Sequence, residues 1–205
     1  MERRYLGNSG LAVSVLGFGA MTFSDGDGQF GGVGATRGAD AMRQIDMCLD
    51  AGVTLFDTAD VYAAGRSEEI LGEALGPRRK HVVVATKAFG RMGRNDHDTG
   101  LSRRHLIDAC DASLKRLGTD WIDLYQVHSF DALVPLEETL RALDDLVTAG
   151  KIRYIGCSNY AGWQLMKAQA VSRERGYARY VGQQIQYSLM VRDAEQELLP
   201  CGVDQ

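Results

Sequence analysis

Four polar side chains with complementary acid–base chemistry are associated with apolar, strand-like segments of this 205-residue chain. Asp57, Lys87 and His128 each lie just after such a segment, and Tyr62 follows Asp57 by five residues in the same loop. Reactive groups in parallel α/β proteins usually lie at the C-terminal ends of strands. Because this placement recurs along the chain, it predicts one shared site at one edge of a sheet.

The four side chains are suited to the reduction of a carbonyl group, which needs a hydride at carbon and a proton at oxygen. Tyr62 is the candidate proton donor, provided that its pKa is lowered from the ordinary value of about 10. The ammonium of Lys87 would lower that pKa by stabilising the phenolate, and Asp57 would keep Lys87 charged and oriented. His128 would donate to the substrate oxygen or help Tyr62 to carry the proton. Positioned acid catalysis of this kind contributes about 10²–10⁴-fold in rate.

Each of these residues also has an ordinary structural explanation when it is considered alone. Asp57 could cap a turn or a helix, and Tyr62 could be a packing residue with a hydrated hydroxyl. Lys87 could be a surface charge, and His128 could be a hydrogen-bonded structural histidine. Their common placement after strands is what favours a functional site.

Three further polar residues fall at the ends of the later strand-like segments. Ser158 and Asn159 end the fifth strand of the repeating pattern, and Gln184 lies late on the sixth. Their hydroxyl and amide groups could hydrogen-bond a carboxamide. The alternative, which is the more common use of such a pair, is that Ser158 and Asn159 cap the next helix.

The elements that must position these residues alternate between strands and helices. A short hairpin is predicted at residues 3–16, with its turn at Asn8-Ser9-Gly10, followed by a Gly- and Asp-rich loop at 24–38. Apolar periodicity predicts five helices and six buried strands. The helices lie near 39–51, 67–75, 102–117, 136–147 and 160–171, and the strands near 15–19, 53–56, 82–86, 122–127, 151–157 and 181–187. Ser67 and Ser102 are the predicted N-caps of the second and third helices.

Strands that alternate with helices indicate a parallel sheet with right-handed crossovers, either an open doubly wound sheet or a (β/α) barrel. A dinucleotide-binding open sheet would carry three glycines between its first strand and helix, and Gly17-Phe18-Gly19 lacks the third. The glycines of 26–34 lie inside a long loop and indicate a flexible loop. Since a barrel of this type takes about 250 residues, the chain is expected to end before the fold does.

Composition excludes several other classes of protein. The chain is 45% hydrophobic and 24% charged with a net charge of −4, and no long basic tract marks it as a nucleic-acid partner. No segment approaches the ~20 apolar residues of a membrane span, and the N-terminus does not resemble a secretory signal. Four widely spaced cysteines indicate reduced thiols and a cytoplasmic setting: Cys48, Cys110, Cys157 and Cys201.

Five segments, in order, resemble the aldo-keto reductases and cover the chain from the hairpin to its end. One of these segments is Ile155-Gly-Cys-Ser-Asn159. The short loops and the residues Gln184-Ile-Gln-Tyr187 resemble bacterial members and the potassium-channel β-subunit branch most closely. The other matching segments are Gly52-Val-Thr-Leu-Phe-Asp-Thr-Ala-Asp-Val-Tyr62, Ser67-Glu-Glu-Ile-Leu-Gly72, Ala85-Thr-Lys87 and Asp123-Leu-Tyr-Gln-Val-His128.

The resemblance implies a (β/α)8 barrel that binds NADPH and reduces aldehydes or ketones to alcohols, with residues 1–205 forming one domain that lacks its C-terminal part. It implies that the catalytic tetrad is Asp57, Tyr62, Lys87 and His128, and that the nicotinamide is held by Ser158, Asn159 and Gln184, with Asp57 also on the cofactor side. The family's seventh and eighth strands are not in this sequence, so the preference for NADP rests on the resemblance.

The resemblance leaves two alternatives open. One is a redox-sensing NADPH-binding module that regulates a partner, and the other is an inactive fragment. A local departure lies beside the tetrad, because many relatives have a glycine directly after the tyrosine whereas this chain has Ala63-Ala64-Gly65. The physiological substrate and the oligomeric state are not predicted.

Overall fold

The structure is a computed structural model that describes residues 1–26 and 34–205. The flexible glycine loop predicted for 26–34 lies almost entirely outside the described residues. Among those described, no helix combines the length and apolar character that a bilayer crossing requires. All four cysteines carry free thiols, in agreement with the sequence prediction.

An antiparallel hairpin begins the chain, as predicted. Strand β1 (Arg3–Tyr5) pairs with strand β2 (Ala12–Ser14). The Ser9 hydroxyl stabilises the turn, because it donates to the Leu6 carbonyl at 2.6 Å and accepts from the Leu11 amide at 3.2 Å. Ser14 joins the hairpin to the main sheet through two bonds with Thr54, of 3.1 and 2.9 Å.

Six parallel strands form the main sheet, and each pairs with its neighbours in sequence order. An open doubly wound sheet reverses its strand order at a switch point. This sheet does not, and it curls into a parallel half-barrel. The barrel alternative is therefore confirmed. The strands are β3 (Gly17–Gly19), β4 (Leu55–Asp57), β5 (Val83–Ala88), β6 (Ile122–Val127), β7 (Ile152–Ser158) and β8 (Tyr180–Gln184).

Helices alternate with the strands and bury their apolar faces against the sheet. Helix α3 shows why the sequence folds this way, because Leu106, Cys110 and Leu117 recur on one face and are all buried. Ser102 caps this helix by accepting from the His105 amide at 3.3 Å, as predicted. The helices are α1 (Gly38–Asp50), α2 (Arg66–Leu75), α3 (Arg103–Leu117), α4 (Leu136–Thr148), α5 (Gly162–Arg175) and α6 (Leu198–Asp204).

One predicted cap is wrong. Helix α2 begins after Gly65, whose φ is 95°, so Ser67 lies inside the first turn. The Ser67 hydroxyl instead donates to the Ala20 carbonyl at 2.7 Å and lies 2.8 Å from the Thr58 hydroxyl. The Ser67 hydroxyl therefore links α2 to Ala20, the residue after β3. The start of the helix is set by Gly65, a glycine in the left-handed region.

Candidate active site

Every residue predicted for the site lies at the C-terminal edge of the half-barrel. Asp57 ends β4, and Lys87 lies one residue before the end of β5. His128 directly follows β6, and Ser158 and Gln184 end β7 and β8. The parallel register brings residues that are far apart in sequence to one rim.

Asp57 and Lys87 form a buried ion pair. The Lys87 ammonium donates to Asp57 Oδ2 at 2.6 Å and to the Thr58 carbonyl at 2.7 Å. Only 1% of the Lys87 side chain is exposed. Burial lowers the pKa of Lys87, and the adjacent Asp57 carboxylate acts in the opposite direction. The pair therefore fixes an ammonium group that is itself shielded from solvent.

Tyr62 lies between this ammonium and the imidazole of His128. The Lys87 Nζ atom is 5.1 Å from the centre of the Tyr62 ring, and the His128 ring is 5.6 Å away in an edge-on arrangement. The backbone turns sharply after Tyr62, with φ values of 48° at Ala63 and 53° at Ala64. The Ala-Ala-Gly departure noted in the sequence is thus a left-handed turn that leads from the tyrosine into α2.

The expected lowering of the Tyr62 pKa is wrong. Burial, together with the charges of Asp57 and Asp60, raises this pKa to about 12. Tyr62 therefore carries its proton throughout the neutral range, as a proton donor must.

His128 has the opposite behaviour. Burial and, to a smaller extent, the neighbouring Lys87 charge lower its pKa to about 4. The imidazole is neutral at neutral pH and has one ring N–H to donate. Its position is fixed by the main chain, because its amide donates to the Ala88 carbonyl at 3.0 Å and its carbonyl accepts from Asn159 Nδ2 at 2.9 Å.

Ser158, Asn159 and Gln184 form a connected polar cluster on the same rim. The Ser158 hydroxyl donates to the Gln184 backbone carbonyl at 3.0 Å, and the backbone N–H of Asn159 donates to the same oxygen at 3.2 Å. Asn159 has a φ of 55°. The alternative that Ser158 and Asn159 cap the next helix is wrong, because α5 begins after Ala161. Hydroxyl and amide groups at one rim are the donor set that a carboxamide needs.

Gln126, which was not predicted as a site residue, joins these two groups of residues. Gln126 is 4% exposed, and its Nε2 donates to Asp57 Oδ1 at 3.3 Å and to Gln184 Oε1 at 3.4 Å. The available signal was an amide between the apolar residues Leu124 and Val127 of β6. Its role depends on the direction that its side chain takes across the concave side of the half-barrel, which the strand pattern alone does not specify.

A buried charge network behind the rim was also missed. Glu68 is fully buried, and its carboxylate accepts from the Thr86 hydroxyl at 2.6 Å and from Arg116 Nε at 2.6 Å. Asp60 is also fully buried, and within the described part of the chain its carboxylate oxygens have no partner in good geometry. Burial and the Glu68 charge raise the pKa of Asp60 to about 7.

Comparisons with known proteins agree with the resemblance in the motifs. The Aldo/keto reductase family model matches residues 15–204. An uncharacterized oxidoreductase of Bacillus subtilis, YrpG, is 43% identical over 220 residues, which cover 100% of this chain and 63% of that protein. The versiconal hemiacetal acetate reductase of Aspergillus parasiticus is 37% identical over 224 residues, covering 100% of this chain and 64% of the relative.

A third relative is named as a channel subunit, whereas the first two are named as an oxidoreductase and a reductase. A probable voltage-gated potassium channel subunit beta of Oryza sativa subsp. japonica is 40% identical over 204 residues, covering 98% of this chain and 60% of the relative. The chain therefore spans a little under two thirds of the length of these relatives. The predicted sequence similarity to both bacterial oxidoreductases and channel β subunits is confirmed.

Proposed function

The chain belongs to the aldo/keto reductase family, and we propose that the full-length protein reduces aldehydes or ketones to alcohols with NADPH. The observation that carries this proposal is the buried Asp57–Lys87 pair beneath Tyr62, with the neutral His128 beside it. In this proposal residues 1–205 form one barrel-type domain. Its setting is the cytoplasm, and its partner is a small carbonyl compound, with no nucleic acid or membrane involved.

Tyr62 is the proposed general acid. A bound reduced nicotinamide supplies the hydride. Tyr62 keeps its proton until negative charge develops on the substrate oxygen, because its pKa is about 12. The Lys87 ammonium then stabilises the phenolate that forms, and Asp57 holds that ammonium in place. The neutral His128 imidazole donates its N–H to the same substrate oxygen and so orients the carbonyl.

Ser158, Asn159 and Gln184 are proposed to hold the carboxamide of the nicotinamide. The support is chemical, since a hydroxyl and two side-chain amides lie together on the rim that carries the tetrad. Asp57 touches both sets, because it accepts from Lys87 and from Gln184. NADPH is proposed in preference to NADH on the family resemblance.

A direct assay tests this function. Full-length protein is mixed with NADPH, and in parallel with NADH, and with a panel of aldehydes and ketones. Absorbance of the reduced nicotinamide is followed, with each mixture lacking the carbonyl compound as its control. We expect turnover with NADPH that depends on the carbonyl compound. Absence of turnover across the panel would contradict the proposal.

The second candidate is a redox-sensing NADPH-binding module that regulates a partner. It is favoured by the 40% identity to a relative named as a potassium channel subunit beta. The assay separates the two functions, because a module would bind NADPH tightly and show no turnover with any substrate. His128 argues for the reductase, since it completes the set of acid groups around the substrate oxygen.

A further inference from the structure

A ring of three side chains crosses the concave side of the half-barrel. Gln126 Nε2 donates to Asp57 Oδ1 at 3.3 Å and to Gln184 Oε1 at 3.4 Å. Gln184 Nε2 closes the ring by donating to Asp57 Oδ2 at 3.2 Å. The ring therefore connects β4, β6 and β8, and β4 and β8 are not paired with each other in the described sheet.

The neighbouring strand gives Gln126 the space to make this connection. Gly156 of β7 pairs with Gln126, and a Cβ atom at Gly156 would lie 3.2 Å from Gln126 Cγ and 3.1 Å from the Gly182 carbonyl oxygen. The side chain of Gln126 thus lies over a position where the sheet carries no side chain. This is a built arrangement in which a glycine lets a buried amide cross the barrel interior.

The two oxygens of Asp57 are held differently. Oδ2 accepts from both Lys87 and Gln184, whereas Oδ1 accepts from Gln126. The terminal torsion of an aspartate is broad, and rotation about it moves both carboxylate oxygens together. The bond that Gln126 donates to Oδ1 adds to the restraint on this torsion and helps to keep Oδ2 directed at the Lys87 ammonium.

We infer that Gln126 is a positioning residue, which acts through Asp57 to hold the Lys87 ammonium beneath Tyr62. The inference rests on the proposed reductase function for its kinetic consequence, and on the hydrogen bonds alone for its structural one. Gln126 does not touch the reacting atoms in this scheme. Loss of its amide loosens the restraint on Asp57, weakens the pairing with Lys87, and displaces the cation that stabilises the Tyr62 phenolate.

The test uses full-length Gln126→Met, which keeps the volume of the side chain and removes the amide. Lysine nitrogen NMR measures the titration of Lys87, identified by the signal that Lys87→Met lacks. We expect the pKa of Lys87 to fall in Gln126→Met, because its pairing with Asp57 raises it while the other facing carboxylates, Asp60 and Glu68, are unaltered. This readout does not depend on turnover.

Kinetics supply the second readout. Loss of a hydrogen bond to a charged group predicts a decrease in kcat of about 10-fold. The Kd for NADPH should change little, and the solvent deuterium isotope effect on kcat should rise because proton transfer becomes slower. A side chain that only fills space would change neither the isotope effect nor the Lys87 titration.

Gln169→Met is the matched control. Gln169 of helix α5 is also a buried glutamine, 2% exposed, and its side-chain amide donates to the Tyr180 carbonyl of β8 at 2.9 Å. We expect it to leave the Lys87 titration and the isotope effect at wild-type values. An unchanged Lys87 titration in Gln126→Met would overturn the inference. If wild-type protein shows no turnover, the proposed function fails, and the NMR titration still decides the role of Gln126.

Discussion

Tyr62 combines a high pKa with a position between a cation and a neutral imidazole. Its burial and the carboxylates of Asp57 and Asp60 raise the pKa to about 12. Removal of the hydroxyl should therefore remove the proton donor while leaving the rest of the rim in place. We expect Tyr62→Phe to lower kcat for carbonyl reduction by about 10²–10⁴-fold, with little change in the Kd for NADPH.

Stopped-flow turnover and fluorescence titration with NADPH measure the two quantities on the same protein. Tyr125→Phe is the matched control, because Tyr125 is a fully buried tyrosine on β6 that is not part of the tetrad. Its loss should leave kcat within a small factor of wild type. Wild-type turnover in Tyr62→Phe would remove Tyr62 from the mechanism.

Asp60 makes a separate prediction about stability. Its pKa of about 7 in the folded protein lies above its ordinary value of 3.8, because burial and Glu68 disfavour the carboxylate. Between these values the folded protein keeps a proton that the unfolded chain releases, so this residue lowers the free energy of unfolding as pH rises. We expect Asp60→Asn to be more stable than wild type by about 2–4 kcal/mol at pH 8, with the difference fading near pH 4.

Urea unfolding at a series of pH values gives this difference directly. Wild type and variant share every other titrating group, so their difference isolates Asp60. The control is Asp120→Asn, which removes an exposed carboxylate and should change the free energy of unfolding little. An Asp60→Asn stability gain of the same size at pH 4 and pH 8 would show that the carboxylate does not titrate in this window.

At the level of single residues, spacing along the sequence located the rim but not its electrostatics. Asp57, Lys87 and His128 were found because each follows an apolar segment, and parallel pairing brings such positions together. The direction of the Tyr62 pKa shift was wrong, because it depends on burial and on Asp60, which the motif does not reveal. Gln126 was missed because its function depends on a glycine in the next strand.

The elements were predictable where one face of a helix is apolar. Helix α3 has both its cap at Ser102 and its buried stripe where the sequence placed them. The start of α2 was not predicted correctly, because Ala63, Ala64 and Gly65 form a left-handed turn there. The Ser67 hydroxyl donates to the Ala20 carbonyl and does not cap the helix. Local cap rules fail there because tertiary contacts use the hydroxyl.

The pairing of helices α2 and α3 depends on a buried charge pair. Glu68 of α2 is fully buried and accepts from Arg116 of α3 at 2.6 Å. Removal of one partner leaves an uncompensated buried charge. We expect Arg116→Leu to lower the free energy of unfolding by about 3–5 kcal/mol, and Glu68→Gln added to Arg116→Leu to recover part of the loss.

Denaturant unfolding of both variants checks this prediction. The control is Arg175→Leu, which breaks the Arg175–Glu137 pair, where both side chains are 49% exposed. Exposed pairs contribute about 0–1 kcal/mol. Equal losses for Arg116→Leu and Arg175→Leu would show that the Glu68 pair does not differ from a surface pair.

At the scale of the whole molecule, the sequence pattern predicted a parallel α/β architecture. Strands that alternate with helices predicted a parallel sheet, and sequence-order pairing then distinguished the barrel from a doubly wound sheet. That order could not be derived from periodicity, because both architectures bury the same strand pattern. Only the three-dimensional pairing, or the motif resemblance, separates them.

The edges of the sheet decide how a polypeptide restricted to these 205 residues should behave. In the described structure β3 pairs only with β4, and β8 pairs only with β7, so both edge strands carry unpaired backbone groups. Leu189, Met190 and Val203 are about nine-tenths exposed beyond β8. Open strand edges and exposed apolar side chains promote association. We expect this polypeptide to associate or aggregate and to show no reductase activity.

Sedimentation analysis and the NADPH assay test this expectation beside the full-length protein. The tetrad residues all precede β7, so their rim can form, yet turnover also needs the cofactor to be held. Ser158, Asn159 and Gln184 lie next to the open edge and therefore on the least supported part of the rim. A monomer of 22.4 kDa that reduces aldehydes with NADPH would contradict the prediction. It would also show that six strands are sufficient to hold both halves of the site.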